Sequence, residues 1–138
     1  MAGHEARRKN ERLHSPTILC VDDDLNTLKL RKLLLEGEGY SVLTAASGSE
    51  ALRVVTDEHR IDMVLLDYLM PGMNGDELAA RLRQMRPKMP LIAVSAVGQL
   101  PDALIELVDS HLQKGQDPGV LLSRVSDVLA RVGERDGR

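Results

Sequence analysis

The chain is poor in aromatic residues: of its 138 residues two are Tyr, and none is Phe or Trp. Proteins that bind single-stranded nucleic acid stack the bases on aromatic side chains. Proteins that bind the phosphate backbone carry clustered positive charge, whereas the net charge of this chain is −3. We therefore expect no direct binding to nucleic acid.

Cysteine and long apolar segments are also scarce. The single cysteine, Cys20, lies inside an apolar run, and we interpret it as a small buried hydrophobic residue. No run approaches the ~20 apolar residues of a membrane span, and the polar N-terminus lacks the apolar segment of a signal peptide. A lone cysteine suits a reducing compartment, so we expect a cytoplasmic protein. We also expect one domain at 17–132, between flexible tails at 1–16 and 133–138.

Five short apolar runs alternate with five stretches of helical spacing. The runs predict strands at 17–21, 40–45, 63–66, 91–94 and 110–113. The helical stretches are near 24–37, 48–58, 75–85, 101–108 and from 117 onward. In the first of these, Leu30, Leu33 and Leu34 share one predicted face. Because the strands lack in-and-out alternation, the sequence predicts an α/β fold with a doubly wound parallel sheet covered on both faces.

Polar residues follow four of the five predicted strands. Asp22 and Asp23 follow the first strand, Asp67 the third, Ser95 the fourth and Lys114 the fifth. Each alone has an ordinary explanation, such as a helix cap or a surface lysine. The carboxyl ends of parallel strands, however, meet at one edge of a sheet, where ligands bind. Their joint occurrence therefore predicts one functional site.

The chemistry of this set favours a magnesium ion and a phosphoryl group. Three carboxylates brought together would repel one another, and a divalent cation removes that conflict. Oxygen ligands without His or Cys select a hard ion, and the lack of a calcium-binding loop favours Mg²⁺. A lysine and a hydroxyl group supply the other contacts that a phosphoryl group needs. Asp67 is the best candidate nucleophile, because it ends the most apolar strand and carboxylates form acyl phosphates.

Four segments together resemble the receiver domain of two-component response regulators. They are ILCVDDD at 18–24, DMVLLDYLMPGMNG at 62–75, PLIAVSA at 90–96 and LQK at 112–114. The resemblance covers about 16–132. It implies a flavodoxin-like (βα)5 fold with strand order 2-1-3-4-5.

The resemblance also implies roles for particular residues. Asp67 would be the phosphoacceptor, Ser95 the switch hydroxyl and Lys114 the phosphate-binding amine. The implied Mg²⁺ ligands are Asp22, Asp23, Asp67 and the backbone carbonyl of Leu69. The implied partners are a sensor histidine kinase or phosphotransfer protein, which donates the phosphoryl group, and a downstream protein target. Pairing of two copies on phosphorylation is a further expectation of the family.

Two positions and one segment depart from the family pattern. His111 stands where the family has a switch aromatic residue, and two roles are open for it: the switch residue or a solvent-facing residue of the strand. Gly115 follows the lysine, where the family has a proline after a cis bond; because a cis bond before a non-proline residue costs about 3 kcal/mol, a trans bond or a looser loop is the alternative to the family geometry. The segment 95–114 is short, so we expect a fourth helix that is small or irregular.

Two other functions fit parts of the sequence. A receiver-like module can bind proteins without phosphorylation, but such relatives usually lack an acidic or lysine position that is present here. A Mg²⁺-dependent phosphohydrolase would need a general acid or base near the nucleophile. Such a group would stand two residues after Asp67 or two residues after Ser95. These positions are Leu69 and Val97, and both are apolar. The sequence therefore predicts a non-enzymatic protein whose phosphoryl group decays slowly.

Overall fold

The computed structural model describes residues 15–58, 60–96 and 98–135, and for 132–135 the backbone alone. The expected N-terminal tail therefore lies almost wholly outside the described residues, as does Val97. Strands and helices alternate along the chain: β1 (Thr17–Val21), α1 (Leu25–Gly37), β2 (Ser41–Ala45), α2 (Gly48–Asp57), β3 (Met63–Asp67), α3 (Gly75–Met85), β4 (Leu91–Ser95), α4 (Asp102–Leu107), β5 (Ser110–Gln113) and α5 (Pro118–Arg135). The five strands and five helices agree with the sequence prediction to within a few residues at each end.

The five strands form one parallel sheet in the order β2-β1-β3-β4-β5. This confirms the predicted doubly wound α/β fold and its strand order. The central strands are apolar throughout, and every residue of β3 and β4 is buried. Strands with this pattern need a helix layer on each side.

Each face of the sheet carries its own apolar core. Alternate residues of the central strands, such as Leu19 and Leu66, pack against helices α2, α3 and α4. The other set, such as Cys20 and Leu65, packs against α1 and α5. Burial raises the pKa of the Cys20 thiol to about 12, in keeping with its interpretation as a small hydrophobic residue.

Helix α1 faces the sheet differently from the prediction. Leu30 and Leu33 are 57% and 72% exposed, whereas Leu28, Arg31 and Leu35 are buried. The predicted face was wrong because α1 has leucines on all sides, so their spacing alone does not define its rotation.

Helix α4 has six residues, which confirms the expected small fourth helix. Among the described residues, no peptide bond is cis, so the bond between Lys114 and Gly115 is trans. We also find no described helix with the length and hydropathy of a membrane span.

Candidate functional site

The register of the sheet brings the predicted residues to one edge. Val21 pairs with Leu66, so the residues that follow them in the chain, Asp22 and Asp67, lie at the same level. Asp67 in turn pairs with Val94, the residue before Ser95. Ser95 accepts a backbone hydrogen bond of 2.8 Å from the N–H of Lys114. The carboxyl ends of β1, β3, β4 and β5 therefore form one site, as parallel strand topology requires.

Three carboxylates form the acidic cluster of this site. One oxygen atom from each of Asp22, Asp23 and Asp67 lies within 4.8 Å of the other two. Asp22 and Asp67 are buried, at 0% and 3% exposure, whereas Asp23 is exposed. The cluster is therefore open to solvent on the Asp23 side and closed beneath.

The loop between β1 and α1 fixes the orientation of Asp22. Its backbone N–H donates to the carbonyl of Ala45 at 3.1 Å, and its Oδ1 accepts the N–H of Asp24 at 2.9 Å. Asp24 caps α1: its carboxylate accepts hydrogen bonds from Thr27 Oγ1 and the N–H of Asn26. These bonds hold the pKa of Asp24 below its ordinary value. Asp24 therefore has a structural explanation, unlike the two carboxylates before it.

Lys114 connects two of the carboxylates. Its Nζ lies 2.9 Å from Asp22 Oδ2 and 3.2 Å from Asp67 Oδ2. Burial acts to lower the pKa of Lys114, but the hydrogen bond to Asp22 and the charge of Asp67 outweigh it, and the pKa is raised. The amine is therefore charged at neutral pH. The following residue, Gly115, has a φ of +86°, a backbone conformation that glycine adopts readily.

The pKa of Asp67 is raised above its ordinary value. Burial is the largest cause and the charge of Asp22 the second, and the opposing attraction of Lys114 is too small to cancel them. The ionised carboxylate is thus destabilised in the protein without metal. A cation beside it would relieve that cost.

Because the pKa of Asp67 is raised by burial and by the charge of Asp22, we expect Asp67→Asn to stabilise the metal-free protein at neutral pH. Because the pKa is higher in the folded than in the unfolded chain, ionisation removes stability as the pH rises above ~4. The gain in the variant should therefore shrink toward low pH, where Asp67 is protonated. Urea unfolding with EDTA at neutral pH and at about pH 4 measures both effects. A gain that is equal at the two pH values would contradict the electrostatic cause.

Sequence reasoning missed Arg31, which the structure places beside the acidic cluster. Its side chain is buried, and its Nη1 lies 3.4 Å from Asp22 Oδ2. The available signal was the helical spacing of Leu28, Arg31 and Leu35, in which an arginine occupies a buried position of an apolar face. Asp22 Oδ2 therefore faces two cations, Arg31 and Lys114.

The loop after Asp67 packs tightly against the strand. The N–H of Gly75 donates to the carbonyl of Tyr68 at 2.6 Å, and Asn74 Oδ1 accepts the N–H of Met70 at 3.2 Å. Leu69 is 48% exposed, so the residue two after Asp67 is an apolar residue open to solvent.

Gly75 leaves no room for a side chain. A Cβ at this position would lie 2.5 Å from the carbonyl oxygen of Asp67 and 2.9 Å from the Cα of Tyr68. Since both are backbone atoms, Gly75→Ala should destabilise the protein by about 1–3 kcal/mol, the usual cost of overpacking. Urea unfolding measures the loss. Gly37→Ala, at a position with nothing within 4 Å, is the matched control and should be neutral or stabilising by about 1 kcal/mol or less. Equal losses in the two variants would contradict the packing argument.

His111 and Ser95 lie on adjacent strands with different exposure. Ser95 is 1% exposed at the end of β4, whereas His111 is exposed and pairs with Ala93. A switch role for His111 stays a prediction.

The donor set fits a hard divalent cation. It consists of oxygen atoms from three carboxylates, two of them buried, with one open side. Such ions prefer carboxylate oxygens, and Mg²⁺ binds through few protein ligands and keeps several waters. The described residues at the cluster include no Cys or His, which would favour zinc or another transition metal.

Comparison with known proteins shows the family. The model of the response regulator receiver domain matches residues 18–126. A transcriptional regulatory protein of Escherichia coli K12, GlrR, is 42% identical over 120 residues, which cover 84% of this chain and 27% of that protein. The response regulator SaeR of Staphylococcus epidermidis is 30% identical, over 85% of this chain and 52% of its own length. This chain thus spans about a quarter to a half of these relatives.

Solved structures give the same result. A CheY-like receiver domain protein of Methanospirillum hungatei matches with a TM-score of 0.82 and 31% identity, over 88% of this chain and 98% of that one. The response regulator TrrA of Thermotoga maritima, in complex with Mg²⁺ and BeF, matches with a TM-score of 0.77 and 32% identity, over 82% and 98%. The chain belongs to the response regulator receiver domain family. Members of this family are signalling switches of two-component systems.

Proposed function

We propose that this chain is a phosphoacceptor switch in a phosphorelay, with Asp67 as the residue that receives the phosphoryl group. The observation that carries the proposal is the position of Lys114 Nζ, within 3.2 Å of Asp67 and within 2.9 Å of Asp22. A cation at this place meets the negative charge of a phosphoryl group on Asp67. The proposed donor is a phosphohistidine on a sensor kinase or phosphotransfer protein.

In the proposed reaction, a carboxylate oxygen of Asp67 attacks the phosphorus atom. The new bond joins oxygen to phosphorus as the phosphorus–nitrogen bond to the donor histidine breaks, and the imidazole nitrogen keeps the electron pair. Lys114 then pairs with an oxygen of the transferred group in place of the carboxylates. Ser95, buried at the end of β4, is the proposed hydroxyl that contacts the phosphoryl group and transmits its presence.

Mg²⁺ is the proposed cofactor, held by Asp22, Asp23, Asp67 and the backbone carbonyl of Leu69. When bound, it neutralises charge on the phosphoryl oxygens during transfer. The exposed carboxylate of Asp23 leaves room for the ion and its waters. The Mg²⁺ and BeF in the complex of TrrA support this part of the proposal.

Slow loss of the phosphoryl group is also part of the proposal. A phosphohydrolase needs a group that activates water near the nucleophile. The residue two after Asp67 is Leu69, whose exposed side chain cannot do so. We therefore propose a switch that holds phosphate. The proposal also includes a domain at 17–132, a location in the cytoplasm, a downstream protein target and pairing of two copies on phosphorylation.

The proposed function is tested by incubating the protein with Mg²⁺ and a small acyl phosphate donor. We expect an intact mass gain of one phosphoryl group that is lost in base, because acyl phosphates are hydrolysed there. Absence of the gain would contradict the proposal. Rapid multiple turnover of a phosphate ester, measured in parallel as released phosphate, would instead favour the hydrolase.

A further inference from the structure

The buried side chain of Arg31 lies outside the roles described so far. Its guanidinium approaches Asp22 Oδ2 at 3.4 Å, and its side chain is 8% exposed. Buried arginines need a counter-charge, because the desolvation of an unpaired charge is costly. The described residues provide one ion pair for it, with Asp22. Arg31 is thus a buried charge in contact with a buried member of the acidic cluster.

Both oxygen atoms of the Asp22 carboxylate already have partners. Its Oδ1 accepts the N–H of Asp24 at 2.9 Å, and its Oδ2 is shared by Lys114 and Arg31. Lys114 is 28% exposed in its side chain and has a long flexible stem, so it can move to a phosphoryl oxygen. Arg31 is on the buried face of α1, and its side chain is less exposed, at 8%.

We infer that Arg31 is an internal competitor of Mg²⁺, which lowers the affinity of the acidic cluster for the metal. Three carboxylates with two cations leave one net negative charge, and without Arg31 the site would carry two. Like charges near a divalent ion oppose its binding. Arg31 thereby stabilises the metal-free site by offsetting repulsion between carboxylates. This inference rests on the proposed function, in which the cluster binds Mg²⁺.

The inference predicts that Arg31→Gln binds Mg²⁺ roughly tenfold more tightly than the natural chain, the order expected for one unit charge at the edge of a protein. Glutamine keeps a hydrogen-bond donor for Asp22 but has no charge. Arg31→Met, which is also uncharged, is the second variant if the first does not fold. Affinity is measured from the rise of the melting temperature with MgCl₂ at constant ionic strength and by titration calorimetry, neither of which requires phosphorylation.

Two variants separate the charge of Arg31 from its other effects. Arg31→Lys retains the charge and should bind Mg²⁺ within about twofold of the natural chain, given the roughly tenfold effect of charge loss. Lys29→Gln makes the same charge change at an exposed position of α1 and should also have little effect. An unchanged or weaker affinity in the uncharged Arg31 variants, or an equal gain in Lys29→Gln, would overturn the inference. Absence of Mg²⁺ binding in all proteins would instead contradict the proposed function, and the inference with it.

Discussion

Asp67→Asn should abolish the mass gain of one phosphoryl group while the protein stays folded. The amide of asparagine is a poor nucleophile. Asp22 is also buried and contacts Lys114 Nζ, but its Oδ1 accepts the N–H of Asp24 and its Oδ2 also faces Arg31, which leaves Asp67, 3.2 Å from Lys114 Nζ, as the proposed nucleophile. We expect the rate of phosphorylation to fall by at least about 1,000-fold, the scale on which covalent catalysis fails without its nucleophile. Intact mass spectrometry against time in the acyl phosphate donor measures it.

The matched control is Asp62→Asn, at the opposite end of the same strand. Asp62 is exposed and accepts the N–H of Thr17 at 2.8 Å, a bond that the amide oxygen of asparagine can also accept. This variant should be phosphorylated at the natural rate. A phosphoryl gain that survives Asp67→Asn would refute the role proposed for Asp67.

Removal of Mg²⁺ with EDTA should slow phosphorylation by at least about 100-fold, the order of effect of losing a group that stabilises transition-state charge. The physical reason is charge, because a donor phosphate must approach three carboxylates that Lys114 and Arg31 neutralise only in part. Addition of MgCl₂ in excess over EDTA should restore the rate. The measurement is again the mass gain against time.

Sodium chloride at the same ionic strength is the control for this experiment. Salt screens surface charges but cannot bridge a carboxylate and a phosphate, so it should not restore the rate. Full activity in EDTA, or equal restoration by sodium chloride, would contradict the role proposed for Mg²⁺.

Much of the fold was predictable because apolar runs and helical spacing alternate clearly along the chain. Strand order followed from the family resemblance, and the meeting of strand ends followed from parallel topology. The site residues could be predicted because each one ends a strand, as Asp67 and Ser95 do, or directly follows one, as Asp22 and Lys114 do. What the sequence could not provide was distance, such as the 2.9 Å contact between Lys114 and Asp22.

The buried face of helix α1 could not be predicted from the sequence. Six leucines among its thirteen residues surround the helix, so a pattern of hydrophobicity does not identify the buried face. The structure turns Leu28 and Leu35 inward, and with them Arg31, whose ion pair with Asp22 is a contact across nine residues. Charged residues are rarely buried unless they are paired, so the sequence did not predict that Arg31 is buried. The structure shows its burial together with its partner, Asp22.

The central claim is that Asp67 carries the phosphoryl group, and site mapping tests it most directly. The phosphorylated protein is treated with hydroxylamine, which replaces phosphate on an acyl phosphate and leaves a stable hydroxamate, and is then digested and sequenced by tandem mass spectrometry. We predict the hydroxamate on Asp67 and on no other residue. A hydroxamate on Asp22 or Asp23, or a phosphoryl group that resists hydroxylamine and maps to a hydroxyl or imidazole side chain, would contradict the account.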